Sequence, residues 1–500
     1  MSLIENIAGF VNLQTVLVLL VVLLMTYVYV TRPRNLPPGP WGWPIVGNLY
    51  TLSKGNIHLT LSKWRKKYGA IVFFKIGTLG TVCLNDYDVI KEAYVRRSDM
   101  FGNRPTNLRI VNQVINQKGI IFAPLGPHWW EQRQFAVASL GFGSLRINER
   151  ILEEAATMQA ELLKTKGINR HFFYIGKPFN IRRMLQQAST NVVCYMVFGK
   201  RWDYTNQTFQ NIMQSLDVVF RTSVFFLPEN VFPYVPGFLK RGDKVNVEKV
   251  LQLVRDEVKE HKETFNRDNI RDFIDSFLLE MQNQTDIDGS TFTERQLEMT
   301  VFDLFNAGTE TVSTTMWWAC LLMILNPDVQ NKVQEEIEQV LGRDSRPSMA
   351  QRSQMPYTAA TIAEIQRYGA VSPIGLPHAV PRDTEFYGYI IPKDTIVFAG
   401  QWSVHHDPEL FPEPDMFDPG RFLDDEGNFK NIEYFMPFSM GPRSCMGQPL
   451  AEVQLFLLFT NLMQHFKLKL PEGAARPSSE GAMGITLAPK PFDLVAIPRD

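Results

Sequence analysis

Between Thr293 and Leu325 the chain is apolar on more than one helical face, and the stretch stops at Asn326-Pro327, where proline blocks continuation. About 33 residues at about 1.5 Å each make a helix of roughly 50 Å. A helix with no wholly polar face has to be wrapped on all sides. Thr293 offers an N-cap hydroxyl, and Gln296 stands where the second half of a capping box belongs. Wrapping such a helix takes a large body. The 500 residues are 45% hydrophobic, with 35 Phe and 9 Trp to fill an interior. Short β-rich stretches at Ala70 to Leu84 and Glu385 to Phe398 interrupt otherwise helical periodicity, and no internal repeat is present. The fold class expected is mainly α with small β-sheets.

Lysine plus arginine (51) nearly cancel aspartate plus glutamate (52), so no global field recruits a polyanion such as nucleic acid. Four cysteines stand at 83, 194, 320 and 445. None lies in a CxxC pair, and their spacing supports neither a disulfide framework nor a zinc site.

From Asn6 to Thr31 there is no charged residue, and Val16 to Val30 is almost wholly aliphatic. The stretch is long enough for a single N-terminal transmembrane helix, 1–31. Glu5 in place of a basic n-region, and the lack of a small-residue cleavage site, argue against a cleaved signal. Arg32 and Arg34 follow the span, so the bulk of the chain is expected on the cytosolic side. Residues 32–48 are proline-rich and read as a stiff hinge ahead of a body at 49–500. A loop from Phe220 to Phe238, with clustered aromatics and three prolines, reads as buried core or as a second membrane contact.

The chemistry concentrates at Phe438-Ser-Met-Gly441-Pro-Arg443-Ser-Cys445-Met-Gly447. Its glycines let backbone approach a flat object closely. Pro449 opens an apolar helix, so Cys445 sits just ahead of a helix start, where free amides favour a thiolate. One soft thiolate without a second cysteine suits single axial ligation of iron. Arg443 is placed to meet a carboxylate of the same cofactor. Cys83, Cys194 and Cys320 lie in apolar surroundings and read as core.

This segment resembles the haem-binding signature of the cytochrome P450 family at each fixed position. The resemblance extends over essentially the whole chain and is strongest to the microsomal family-two enzymes. It implies a cytochrome P450 fold preceded by the anchor, haem b held through Cys445, and placement in the endoplasmic reticulum membrane. It also implies that Trp129, Arg133, Arg104, His378 and Arg443 bind the haem. Glu364, Arg367 and Arg421 would form a triad that holds the cysteine loop. Where relatives carry basic residues near Trp129, this chain has Trp130 and Gln134, which bears on donor docking. Gly420 likewise departs in the Arg421 loop. Gly308 in Ala307-Gly308-Thr309-Glu310-Thr311 costs about 1 kcal/mol in a helix, for which the residues alone suggest close helix packing. The resemblance instead implies a helix opened over the iron, with Glu310 and Thr311 metering protons to dioxygen.

The chain has no Gly-rich dinucleotide fingerprint, so electrons would come from outside; the resemblance implies a separate NADPH–cytochrome P450 reductase as their source, with cytochrome b5 as a further donor. The resembled pocket falls on Ile110, Val114, Phe302, Ala307, Val371, Ile374 and Ile485, an apolar set that selects a lipophilic small molecule. A long-chain fatty acid with Arg109 at its carboxylate is the first expectation, and a steroid or sterol the alternative. A haem-thiolate isomerase, a haem sensor or a lipid carrier would keep Cys445 without needing Glu310 and Thr311.

Overall fold

The computed structural model describes residues 13–30, 35–108, 116–141, 145–163, 177–221, 231–232 and 241–499. Its main helices are α1 (Leu13–Val30), α2 (Pro127–Leu140), α3 (Leu145–Leu163), α4 (Arg182–Phe198), α5 (Gln207–Arg221), α6 (Arg241–Thr264), α7 (Glu294–Leu325), α8 (Pro356–Gly369) and α9 (Gln448–His465). The strands are β1 (Ile71–Ile76), β2 (Leu79–Leu84), β3 (His378–Ala379), β4 (Thr384–Phe386), β5 (Tyr389–Ile391), β6 (Ile396–Ala399), β7 (Phe466–Lys469), β8 (Gly481–Met483), β9 (Leu487–Pro489) and β10 (Val495–Pro498). They form one sheet ordered β1-β2-β6-β3 and three two-stranded ladders, β10-β7, β4-β5 and β8-β9.

The long helix forms where the pattern places it. α7 is 32 residues long and runs without a break. It packs against α4, α8 and α9, and its Trp317 and Trp318 are almost fully buried. Thr293 Oγ1 accepts the Gln296 amide at 3.2 Å. The second half of the expected capping box is absent: Gln296 turns away from the cap and clamps Gly119, accepting its N–H at 3.2 Å and donating to its carbonyl at 3.1 Å. Gly308 has a packing cause. A Cβ there would lie 2.6 Å from Val193 Cγ2 on α4, and Gly308 O accepts the Ser189 hydroxyl at 3.0 Å. Close helix approach therefore accounts for the glycine, and the unbroken α7 does not show the opened turn that the resemblance suggested.

Both β-rich stretches are strands. β1 and β2 pair antiparallel across Gly77, whose φ of +60° suits the tight turn. β6 joins β2 in parallel, and β3 pairs on its far side, which brings His378 to the interior. The proline-rich segment is tied to this sheet from residue 38 onward. Pro38 O accepts the Phe73 amide at 2.9 Å, and Asn48 Oδ1 accepts that of Lys75 at 3.0 Å.

At the N-terminus the described part of α1 is 18 residues long. Among the described residues no helix is long and apolar enough to cross a membrane. Of the Phe220–Phe238 loop, only its first two residues and Val231 and Phe232 are described. Phe220 and Val231 are buried, and Val231 packs on the β1–β2 turn, its carbonyl accepting the Thr78 amide at 3.4 Å.

Candidate active site

The cysteine loop is shaped by backbone that only certain residues tolerate. Gly441 has φ +75°, and a Cβ on it would sit 2.0 Å from Tyr94 O. Ser439 takes φ +61° beside it. Cys445 N–H donates to Phe438 O at 2.9 Å, closing the loop, and Gly447 leads into α9 with Pro449 in the first turn.

Cys445 is exposed, whereas Cys83, Cys194 and Cys320 are buried core residues with thiols pushed up by burial, Cys320 to about 12. The Cys445 thiol is also raised by burial, against the lowering pull of the Gly447 amide, Arg133 and the Gln448 amide. The sulfur is thus accessible yet closely surrounded by protein. The helix-start amides act in the direction the sequence predicts, but desolvation outweighs them until a cation binds, since a metal-bound thiol is deprotonated outright.

Ala307 and Thr311 are exposed on α7 although the helix around them is buried, and their i,i+4 spacing puts them on one face. α7 packs on α9, the helix Cys445 precedes. Phe302 and Val371 are half-buried and Ile374 buried, while the turn at Gly484–Thr486 is knit in by Ile485 N–H to Phe220 O (2.8 Å). Leu487 N–H to Val371 O (2.9 Å) joins the next strand to the same wall. Ile110, Val114 and Arg109 lie outside the described residues.

Thr311 and Glu310 are not brought into one hydrogen-bonded pair. Thr311 Oγ1 donates to Ala307 O at 2.8 Å. Glu310 is buried, and its Oε1 accepts from Thr314 Oγ1 at 3.0 Å and from Thr486 Oγ1 at 3.3 Å. Burial holds the Glu310 carboxyl above the usual range, partly offset by Arg182 and Arg221.

Of the expected haem-binding residues, Arg443, Arg104 and Trp129 converge on the loop at 120–123. Arg443 donates to the carbonyls of Gly102 (2.9 Å), Ile120 (3.1 Å) and Ala123 (2.6 Å), with its guanidinium 4.1 Å from the Trp129 ring centroid. Trp129 Nε1 donates to Ile120 O at 2.9 Å, and Arg104 Nε to Ile121 O at 2.8 Å. Arg133 reaches Ser444 O at 2.8 Å. Among the described residues none of these three arginines forms an ion pair with a carboxylate. Burial lowers all three, and repulsion from Arg104 and Arg133 adds to it at Arg443, which is brought down to about 8. His378 sits among them, stacked on Tyr94 at 4.1 Å. Its Nδ1 lies 2.6 Å from Phe101 O, which only accepts, so Nδ1 carries the hydrogen; burial and Arg104 keep the ring neutral.

Asp303 is not singled out by the sequence, and Gln296 reads there only as a cap partner. Asp303 Oδ2 accepts the amides of Ile120 (2.7 Å) and Ile121 (2.8 Å), so α7 fixes the loop whose carbonyls face the arginines. Gln296, two turns earlier on the same face, fixes Gly119, whose φ of +77° leaves no room for a side chain beside Asp303. The available signal was a lone aspartate within an apolar helix.

In the expected triad, Glu364 and Arg367 are wholly buried and paired at 2.7 and 2.8 Å. Arg421 Nε lies 3.5 Å from Glu364 Oε1, at ion-pair distance and without a hydrogen bond of its own. Arg421 instead donates to Glu413 O at 2.7 Å, and Asp418 N–H donates to Glu364 at 3.0 Å.

A single open thiol just ahead of a helix start, near arginines that pair with no carboxylate among the described residues, fits an iron porphyrin bearing two carboxylates. The cytochrome P450 family profile matches residues 37–496. The chain belongs to the cytochrome P450 family. It is 37% identical to cytochrome P450 2U1 of Rattus norvegicus, over 95% of this chain and 93% of that protein. It is 41% identical to cytochrome P450 2C20 of Macaca fascicularis (93% and 94%) and 38% to human cytochrome P450 2J2 (94% and 92%). Membership in this family-two group makes the chain a monooxygenase with haem as its cofactor.

Proposed function

We propose that this cytochrome P450 is a membrane-anchored monooxygenase of the endoplasmic reticulum that hydroxylates a long-chain fatty acid, fed with NADPH electrons by cytochrome P450 reductase and cytochrome b5. What supports the substrate class is that Ala307 and Thr311 stand exposed on one face of α7, while Phe302, Val371, Ile374 and Ile485, the apolar lining this reading assigns to the substrate space, are half-buried or buried. Each methylene transferred into such a space gains about 0.8 kcal/mol, which favours a long chain. Haem, when bound, supplies the reductive activation of dioxygen that puts one oxygen atom on the substrate and the other into water. Cys445 is the iron ligand in this reading. Arg104, Arg133 and Arg443 receive the carboxylates of the porphyrin, with Trp129 and His378 beside them. Thr311 orients water at the open face, and Glu310, one residue away, holds the proton that replenishes it.

The apolar α1 supports anchoring, as do exposed Trp41, Trp43, Ile45 and Tyr50 just after it. Purified enzyme with reductase, NADPH and either long-chain fatty acids or a sterol panel tests the substrate. Hydroxylated fatty acid is expected. Turnover confined to sterols overturns the fatty-acid reading, and an absorption band without any product would favour a sensor.

A further inference from the structure

His405 ends the short helix Gln401–His405 and is 1% exposed. Its Nε2 lies 3.0 Å from the amide nitrogen of Met436. An amide can only donate, so Nε2 is the acceptor and Nδ1 carries the hydrogen. Nδ1 is buried without a partner. The backbone of the same residue serves the other side: its carbonyl accepts from Arg367 Nη1 at 2.7 Å, and Arg367 is held by Glu364. The ring is wedged between Phe435 and Phe411, at 5.6 and 6.2 Å between centroids.

What Met436 does next gives this contact its meaning. Met436 O accepts the Ser439 amide at 3.1 Å, in the turn where Ser439 is left-handed. Phe438 O then accepts the Cys445 amide at 2.9 Å. A continuous run of hydrogen bonds and short chain segments thus leads from Glu364 and Arg367 through His405 to the thiol. Arg421 makes no such connection, since its donors go to carbonyls of its own loop.

We infer that His405 is the positioning residue that transmits the buried Glu364–Arg367 pair to the cysteine loop, by accepting the Met436 amide. A leucine could fill the volume between the two phenylalanines but would leave that amide buried and unpaired. Burial and Arg367 hold the ring neutral, with its value lowered to about 3, so the acceptor lone pair persists at working pH. The charged and titratable groups around it all leave it in that form: Arg367 and Glu364 on α8, neighbouring His406, and Arg421 beyond Glu364. The inference rests on Cys445 being the iron ligand.

The test compares His405→Leu with His405→Gln, whose Oε1 can take the place of Nε2. Holoenzyme of each is followed by hydrogen exchange of the 436–445 segment, and by the share of the reduced carbon monoxide adduct that keeps a thiolate-type band. Leucine should speed exchange there by about tenfold, as expected for a buried amide left unpaired, and shrink the thiolate share, while glutamine restores both. Equal behaviour of the two variants overturns the inference. If leucine does not fold, His405→Asn, polar but too short to reach Met436, is read against glutamine in the same way. A wild-type enzyme lacking the thiolate band would instead count against the ligand assignment.

Discussion

Asp303 accepts the backbone amides of both Ile120 and Ile121 with a single carboxylate oxygen, at 2.7 and 2.8 Å. The carbonyls of those two residues then receive Arg443, Trp129 and Arg104, so one aspartate on α7 sets the loop that orders three haem-side donors. Replacing it with alanine leaves two buried N–H groups without an acceptor, each costing about 1–3 kcal/mol. Asp303→Ala should unfold at lower denaturant and lose haem faster to a scavenger protein. An unchanged rate of haem loss would separate Asp303 from the cation site.

The same carboxyl predicts a pH dependence. Burial raises it from 3.8 to about 7, opposed by the two amides and Arg104. The folded state therefore binds this proton more tightly than the unfolded one. Its contribution to stability is fully present below about pH 4 and is lost as pH rises through about 7. Asp303→Asn has no proton to lose, so the stability of wild type relative to this variant should fall between about pH 4 and 7, by at most about 4 kcal/mol. Denaturant midpoints of both proteins across that range check it, and parallel curves would contradict it.

Glu364→Gln should be severe. Both Glu364 and Arg367 have wholly buried side chains, and removing one charge strands the other at a cost of about 3–5 kcal/mol. The expected outcome is little folded holoenzyme, measured as haem bound per chain. Arg421→Ala should cost far less, because Arg421 meets Glu364 only at 3.5 Å and its hydrogen bonds stay within its own loop. Equal losses would restore Arg421 to the full partnership expected from sequence.

The legible parts of this protein are those whose causes are local in sequence. Gly441, Gly447 and Pro449 surround Cys445 within one loop, and the period and stop signals of α7 lie within its own length. The partners that order the haem side are remote: Gln296 meets Gly119 across 177 positions, and Arg443 meets Ala123 across 320. No local pattern announces such a pairing. Gln296 shows the conflict directly, since its spacing suits a capping box and its side chain is drawn to a distant loop. Glu310 and Thr311 are neighbours in the chain yet about 100° apart around the helix, so their side chains meet different partners. His405 went unnoticed because its ring answers a backbone amide rather than another side chain.

That angular separation gives the last prediction. Thr311 stands on the open face and donates only to Ala307 O, whereas Glu310 is buried and accepts from Thr314 and Thr486. Thr311→Ala removes a hydroxyl that no other side chain needs, so stability should stay within about 0.5 kcal/mol. NADPH consumption should continue, with more peroxide released per molecule of product, because water at the open face is no longer oriented. Glu310→Ala should lower stability, since two buried hydroxyls lose their acceptor, and also slow turnover. Glu310→Gln keeps an acceptor for Thr314 and should recover stability while remaining slow. Coupling, turnover and melting temperature measured on all three variants separate the roles. If Thr311→Ala stayed fully coupled, its hydroxyl would belong to the helix alone; if Glu310→Gln recovered turnover, the carboxyl proton would have no part in the reaction.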